Sequence, residues 1–222
     1  MHVASRLTSL PPNGRPRRVL AIGAHADDIE IGCGGTLLRM LDGEQPPAIT
    51  FAVLSGDDQR RQEAVESAAG FGDGEHAIDV RVAAFRDSYF PGQYEAIKTH
   101  LHRLVDDVCP DLILVHRADD SHQDHRLLGE LAGSVARGPL ILHYEIPKWD
   151  GDLRPVDTYV ELDEATAERK LRHLETNFDS QRDRSWYDRD TFAGLLRIRG
   201  CENSGPDRYA EGFVMNKAIL AF

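Results

Sequence analysis

The stretch VLAIGAHADDIEIGCGGT, at residues 19–36, decides the fold of this 222-residue chain. Its apolar start, residues 19–22, predicts a buried β-strand that ends at Gly23. Three titratable side chains follow directly: His25, Asp27 and Asp28. Because the carboxyl end of a parallel strand faces the ligand crevice of an open α/β sheet, we expect chemistry at this turn.

The alternation of strand and helix continues along the chain and predicts an α/β fold. Further strands are predicted at residues 48–54, 80–85, 112–115 and 139–142, and helices at residues 34–41, 59–71, 94–108 and 126–136. This order is typical of a Rossmann-like, doubly wound sheet that is mostly parallel, flanked by helices and joined by right-handed crossovers.

After residue 145 the pattern weakens. A strand is predicted at residues 156–162, a helix at 164–175 with Asp163 as its N-cap, and a terminal strand at 213–222. Residues 176–212 are polar with scattered aromatics, and we expect substrate specificity to reside in this part of the chain and in the loops. We expect residues 1–17 to form a flexible arm and residues 18–222 to form a single domain.

Composition narrows the classes of function. A formal charge of −11 argues against nucleic acid and anionic membranes as partners, since both require a basic face. No apolar run approaches the length of a membrane-spanning helix, so we expect no membrane insertion. Three widely spaced cysteines fit a reducing cytoplasm. The sequence is compatible with a homo-oligomer.

The first motif supplies two candidate metal ligands and a base. Imidazole nitrogen and carboxylate oxygen both bind zinc, and His25 and Asp28 are close enough in one turn to share an ion. Asp27 would then point elsewhere and could act as a base on water. Two other interpretations exist: Asp as a simple helix N-cap, and a phosphate loop, although G-C-G-G at residues 32–35 lacks the usual glycine spacing.

A second motif, His122-Gln123-Asp124-His125, also follows an apolar strand. If the two strands are neighbours, His25, Asp28 and one of the two later histidines give three protein ligands, the composition of a catalytic zinc site. The remaining histidine could donate to an oxyanion or protonate a leaving amine. Asp124 could fix its tautomer.

Both motifs resemble the signatures of the LmbE/PIG-L family of zinc-dependent N-acetylglucosaminyl deacetylases, which usually show AHPDDE and HxDH. Weaker matches lie at Arg60-x-x-Glu63-Ala64, at Asp87 and at residues 209–213, so the resemblance covers roughly residues 18–214. Ala26 stands where the family usually has proline, and Ile29-Glu30 where Glu normally follows the Asp pair directly.

The resemblance implies a role for each matching residue. The zinc ligands would be His25, Asp28 and His125. Independently of the resemblance, two histidines and one carboxylate also suit Fe²⁺, which is the alternative metal. The catalytic residues would be the general base Asp27, the oxyanion stabiliser and acid His122, and its partner Asp124. The contacts with sugar hydroxyls would be Arg60 and Asp87.

The leading hypothesis is therefore a zinc-dependent hydrolase of a linear amide bond. It would remove the N-acetyl group from an N-acetylglucosamine-type amino sugar, free or in a nucleotide, glycolipid or natural-product conjugate. An amidase that cleaves a thiol-sugar conjugate is the first alternative. A non-haem Fe(II) oxygenase and a non-catalytic metal- or sugar-binding module are more distant ones.

Overall fold

The computed structural model describes residues 6–7, 14–71, 76–217 and 220–221. The strands are β1 (Arg6–Leu7), β2 (Arg18–Gly23), β3 (Ala48–Ser55), β4 (Asp79–Phe85), β5 (Leu112–His116), β6 (Leu140–Tyr144), β7 (Thr158–Leu162), β8 (Tyr209–Met215) and β9 (Leu220–Ala221). The helices are α1 (Asp28–Leu41), α2 (Asp58–Gly70), α3 (Tyr94–Val108), α4 (Gln123–Val135), α5 (Glu164–Asn177) and α6 (Arg189–Glu202). Short 3-10 helices lie at Phe90–Gln93 and Asp179–Gln181.

Seven strands form one sheet in the order β4-β3-β2-β5-β6-β8-β7. The first five in this order are parallel, and β8 pairs antiparallel with both β6 and β7. The predicted mostly parallel α/β fold is confirmed.

The strand order reverses between β2 and β5, which lie side by side. Ala21 of β2 pairs with Leu114 of β5, so the two strands end level with each other at Gly23 and His116. Such a switch point opens a crevice at the carboxyl ends of the strands. The two sequence motifs leave the sheet from these two ends.

Helices cover both faces of the sheet, which explains the nearly continuous apolar strands. In β2, Val19 and Ala21 pack on the side of α1, α2, α5 and α6, whereas Leu20 and Ile22 pack on the side of α3 and α4. All four side chains are at most 1% exposed. Burial on both faces holds the ends of β2 and β5 rigidly at the crevice.

Helix α1 begins earlier than the sequence predicts and contains a break. The prediction placed its start at Gly34 or Gly35, but the helix begins at Asp28 and departs from helical geometry at Cys33 (φ −145°, ψ 16°). Because glycine is a poor helix former, Gly32, Gly34 and Gly35 make this start hard to predict from sequence. A side chain at Gly32 would overlap the ring of Tyr144, and one at Gly35 would overlap Leu162, so these glycines permit close packing of α1 on the sheet.

A buried ion pair satisfies the backbone groups freed by the break. Lys170 donates to the carbonyl of Ile31 (2.6 Å) and to Glu211 (2.6 Å). Glu211 in turn accepts the backbone N–H groups of Gly35 and Thr36, each at 2.7 Å. Elements distant in sequence, α5 and β8, thereby hold the helix that begins at Asp28.

The C-terminal third is more regular than its polar sequence suggests. The predicted strand and helix are confirmed as β7 and α5. Asp163 caps α5 by accepting the backbone N–H of Thr166 at 2.7 Å. Helix α6 falls in the stretch for which no element was predicted. Strand β8 begins at Tyr209, before the predicted 213, and residues 218–219 and 222 lie outside the described residues.

Of the predicted arm, residues 1–5 and 8–13 also lie outside the described residues, and β1 pairs antiparallel with β9. Within the ranges that the structure describes, no helix has the length and apolarity needed to cross a bilayer.

Candidate active site

The turn after β2 brings the first motif to the crevice. Asp27 is the N-cap residue of α1, but its side chain makes no capping hydrogen bond and is free to point into the cleft. The backbone N–H of His25 donates to Asp28 Oδ2 at 2.7 Å, which closes the turn. Ala26 is buried in the core.

The three predicted metal ligands lie together. His25 Nδ1 is 3.2 Å from His125 Nε2 and 3.3 Å from Asp28 Oδ2, and His125 Nε2 is 3.4 Å from Asp28 Oδ1. Tetrahedral ligands bound to zinc at ~2.0–2.2 Å are about 3.3–3.6 Å apart. The donor set and its spacing therefore fit a divalent metal of this type.

Three further side chains support these ligands from behind. Asp87 Oδ1 is 3.1 Å from His25 Nε2, Asp120 Oδ2 is 3.2 Å from His125 Nδ1, and His116 Nε2 is 3.1 Å from Asp28 Oδ2. A carboxylate on the second nitrogen of an imidazole fixes the tautomer and leaves the first nitrogen free to bind metal. Asp120 and His116 lie outside the two motifs, so spacing along the chain does not mark them as residues behind the proposed ligands.

The electrostatics favour a positive charge between the ligands. Burial alone would lower the pKa of His25, but Asp28, Asp124 and Asp87 raise it well above its usual value. Burial would raise the pKa of Asp28, but His125, His116 and His25 lower it far below its usual range. Burial, with His116 beside it, lowers the pKa of His125 to about 3, so this imidazole is neutral and can ligate.

Asp27 stands beside the ligands and is paired with Arg60. Arg60 Nη2 donates to Asp27 Oδ1 at 2.6 Å, and Asp57 caps the helix that carries Arg60 by accepting its backbone N–H at 2.9 Å. Burial raises the pKa of Asp27, while Arg60 opposes this rise. Arg60 lines the cleft, as expected for a substrate contact, but its closest partner is the carboxylate of Asp27.

His122 is held in one tautomer by the start of α4. This helix begins at Gln123, three residues before the predicted start, and His122 is its N-cap. The backbone N–H of Asp124 donates to His122 Nδ1 at 3.3 Å, so the neutral ring carries its proton on Nε2. Burial and the neighbouring His25 lower the pKa of His122 and favour this neutral form.

The carboxylate of Asp124 does not contact the ring of His122, although the expected tautomer-fixing role would require such a contact. Its side chain is fully buried and accepts the backbone N–H groups of Ser88 (2.6 Å) and Phe90 (3.0 Å). No hydrogen bond joins its carboxylate to His122 among the described residues. The side chain instead anchors the loop after β4, the loop that places Asp87 against His25.

The site opens into a cleft of about 220 Å³. Its outer wall comes from the C-terminal third, where Trp149 and Trp186 are in edge-to-face contact with ring centroids 6.3 Å apart. Trp149 is 66% exposed. The neighbouring Tyr187 is buried, and its hydroxyl donates to the carbonyl of Leu174 at 3.0 Å.

A mostly parallel α/β sheet with histidines and carboxylates at its switch point is typical of an enzyme, and comparison with known proteins identifies the class as deacetylase. Residues 20–136, more than half of the chain, match the family described as PIG-L: GlcNAc-PI de-N-acetylase. The chain belongs to this family, as the two motifs predict. No curated protein matches the chain.

Solved structures with the same fold are distant in sequence. An N,N′-diacetylchitobiose deacetylase from Pyrococcus horikoshii has 21% identity over 92% of this chain and 85% of its own, with a TM-score of 0.73. A deacetylase of teicoplanin biosynthesis has 14% identity over 92% and 98%, with a TM-score of 0.71. The 4-carboxy-2-hydroxymuconate hydratase GalB from Pseudomonas putida has 18% identity over 93% and 98%, with a TM-score of 0.70. At these identities the likeness shows the fold alone.

Proposed function

We propose that this deacetylase is a zinc-dependent hydrolase that removes the N-acetyl group from an N-acetylglucosamine-type amino sugar. The observation that carries the proposal is the convergence of His25 Nδ1 and His125 Nε2, 3.2 Å apart, with one carboxylate oxygen of Asp28 3.3 Å from the former and the other 3.4 Å from the latter. The buried carboxylate of Asp27 lines the same cleft. Three ligands leave a coordination position for water or substrate, which a closed structural site does not.

A divalent metal held by these three residues would lower the pKa of water toward ~7 and polarise the acetamide carbonyl. His25, Asp28 and His125 would hold it through Nδ1, a carboxylate oxygen and Nε2, respectively. Zinc suits two imidazoles and one carboxylate, and Fe²⁺ accepts the same donors.

Asp27 is the general base in this proposal. Arg60 engages its Oδ1, and no other side chain in residues 14–71 and 76–217 donates to this carboxylate, so Oδ2 is available to take a proton from the attacking water. Burial raises the pKa of Asp27 and so makes it a stronger base than an exposed carboxylate. The proton that Asp27 accepts can then pass to the amine nitrogen as the C–N bond breaks and acetate leaves.

His122 stabilises the developing oxyanion. Its Nδ1 accepts a backbone N–H, so its Nε2–H is the donor that can reach the carbonyl oxygen of a bound acetamide. The lowered pKa of His122 favours a neutral hydrogen-bond donor in the free enzyme. The lowered pKa therefore supports a role of His122 as oxyanion stabiliser more directly than a role as general acid.

The sugar would lie against the cleft wall beyond the metal. Asp87 and Arg60 reach this space, and the exposed face of Trp149 offers a surface on which a sugar ring can stack. Membership of a deacetylase family leaves the oxygenase alternative without support.

The test is acetate release from N-acetylglucosamine and N,N′-diacetylchitobiose, with zinc content measured on the same sample. Asp28→Ala should lose metal and activity together. Asp27→Ala should keep the metal and lose at least ~10²-fold in kcat, the scale of one general base. Full activity of zinc-loaded Asp27→Ala would contradict the mechanism, and absence of acetate release by the zinc-loaded wild type from either substrate would count against the proposed substrate class.

A further inference from the structure

A buried lysine outside both motifs connects the metal-ligand loop with the cleft wall. The side chain of Lys148 is 6% exposed, and its Nζ lies 3.0 Å from Asp120 Oδ1 and 2.9 Å from each oxygen of Asp152. An ammonium group this deeply buried is stable only with such partners. The two carboxylates come from different parts of the chain: Asp120 from the loop after β5, and Asp152 from the segment after β6.

Asp120 ties Lys148 to the proposed catalytic residues. Its Oδ2 contacts His125 Nδ1 at 3.2 Å, and its Oδ1 accepts the backbone N–H of His122 at 2.7 Å. One carboxylate thus orients a metal ligand, fixes the backbone of the oxyanion donor and binds Lys148.

Asp152 ties Lys148 to the cleft wall. Residues 145–157, between β6 and β7, contain no helix or strand, so the segment lacks the hydrogen-bond ladder that holds a regular element. Asp152 Oδ2 accepts the backbone N–H of Ser121 at 2.7 Å, which docks the segment onto the loop that bears Asp120. The segment presents Trp149 to the cleft one residue after Lys148.

We propose that Lys148 is a positioning residue that holds the wall at Trp149 and the loop of His122 and His125 in one arrangement. Its role in catalysis rests on the function proposed above. Lys148 itself touches neither of the two histidines nor, in this proposal, the scissile amide. It acts through Asp120 on one side and through the backbone of its own segment on the other.

The wall can be followed without any substrate, because Trp149 and Trp186 are the only tryptophans in the chain. Trp186→Phe leaves Trp149 as the single probe. In this background Lys148→Met should lower the fluorescence anisotropy of Trp149, because the segment gains freedom to move. Lys148→Arg, which can still bridge two carboxylates, should restore most of the anisotropy. The control is Lys98→Met on α3, where the lysine contacts the ring of Tyr94 and should leave the anisotropy unchanged.

Kinetics separate positioning from general loss of structure. In the zinc-loaded chain with both tryptophans, Lys148→Met should raise KM for N,N′-diacetylchitobiose roughly 10-fold, the scale of one lost aromatic contact, with a smaller change in kcat. Asp120→Asn should weaken zinc binding by ~10–100-fold, as expected for a carboxylate behind a metal-binding histidine.

An unchanged Trp149 anisotropy in folded Lys148→Met, together with an unchanged KM, would overturn the proposal. If Lys148→Met does not fold, Asp152→Asn removes one arm of the same bridge and should give the same two changes. If the zinc-loaded wild type releases acetate from neither N-acetylglucosamine nor N,N′-diacetylchitobiose, the proposed substrate class fails, but the anisotropy still decides the role of Lys148.

Discussion

Replacing Glu211 with Gln tests whether the break in α1 depends on its buried ion pair. Four donors converge on the Glu211 carboxylate: the N–H groups of Gly35 and Thr36, the Thr36 hydroxyl and Lys170 Nζ. Glutamine keeps the shape but has one acceptor oxygen and no charge, so it leaves the buried Lys170 without a counter-ion. Breaking a buried pair in this way costs about 3–5 kcal/mol in the free energy of unfolding. For a chain of this size that corresponds to a fall in Tm of roughly 6–20 °C.

Equilibrium unfolding in urea measures this loss, with Glu130→Gln as the matched control because Glu130 lies exposed on α4. A double-mutant cycle with Lys170→Met isolates the pair, and its coupling free energy should be about 1–3 kcal/mol, since the two groups touch at 2.6 Å. If Glu211→Gln lowered the free energy of unfolding by less than about 1 kcal/mol, no more than an ordinary neutral hydrogen bond, the reasoning would be refuted.

Three further outcomes are expected. His122→Ala should bind zinc with unchanged stoichiometry but lose ~10²–10³-fold in kcat, the scale of one oxyanion donor; a loss of zinc instead would make His122 a ligand. Gly32→Ala should lower the free energy of unfolding by about 1–3 kcal/mol through overpacking. Gly138→Ala is the control, because no atom lies within contact distance of a side chain added there. Equal urea midpoints for the Gly32→Ala and Gly138→Ala variants would contradict the packing argument. Burial lowers the pKa of His173 to about 4, so the unfolded chain binds a proton below pH ~6.5 that the folded chain excludes, and stability falls as the pH drops from ~6.5 to ~4. His173→Gln should remove about 3 kcal/mol of this pH-dependent change in the free energy of unfolding. The control His102→Gln, at an exposed position, should leave the pH dependence unchanged. If the free energy of unfolding of wild type and of His173→Gln varied with pH in parallel, this explanation would be wrong.

Prediction from sequence succeeded where one signal dominated. Strands buried on both faces, such as β2 and β5, appear as apolar runs whatever their neighbours, and α3 was predicted at its observed bounds from its apolar spacing. Helix α6 was missed because its polar sequence gives little amphipathic signal, and Phe192 and Leu196 become core residues only by packing in the tertiary structure.

Within the site, two apolar strands that end in polar turns are neighbours in the sheet, so His25, Asp28 and His125 lie close together. Their roles as metal ligands stay a prediction. The expectation for Asp124 differs from the structure because adjacency in sequence suggested a side-chain contact with His122. In α4, the backbone N–H of Asp124 bonds His122, and its carboxylate points to the loop of Ser88.

The sequence at residues 19–36 thus determines the local structure: a strand, a tight turn and three titratable groups in fixed order, since short-range spacing is a property of the chain itself. The residues that this stretch contacts in the folded protein are distant in sequence. From sequence alone the glycines are compatible with a phosphate loop, but in the structure Gly32 and Gly35 are needed because Tyr144 and Leu162 pack against α1. The residues behind the proposed ligands lie 59 or more residues away in sequence from the turn at Asp28: Asp87, His116 and Asp120. Only strand order and helix packing bring them within hydrogen-bond distance, because such contacts depend on three-dimensional proximity rather than on spacing along the chain.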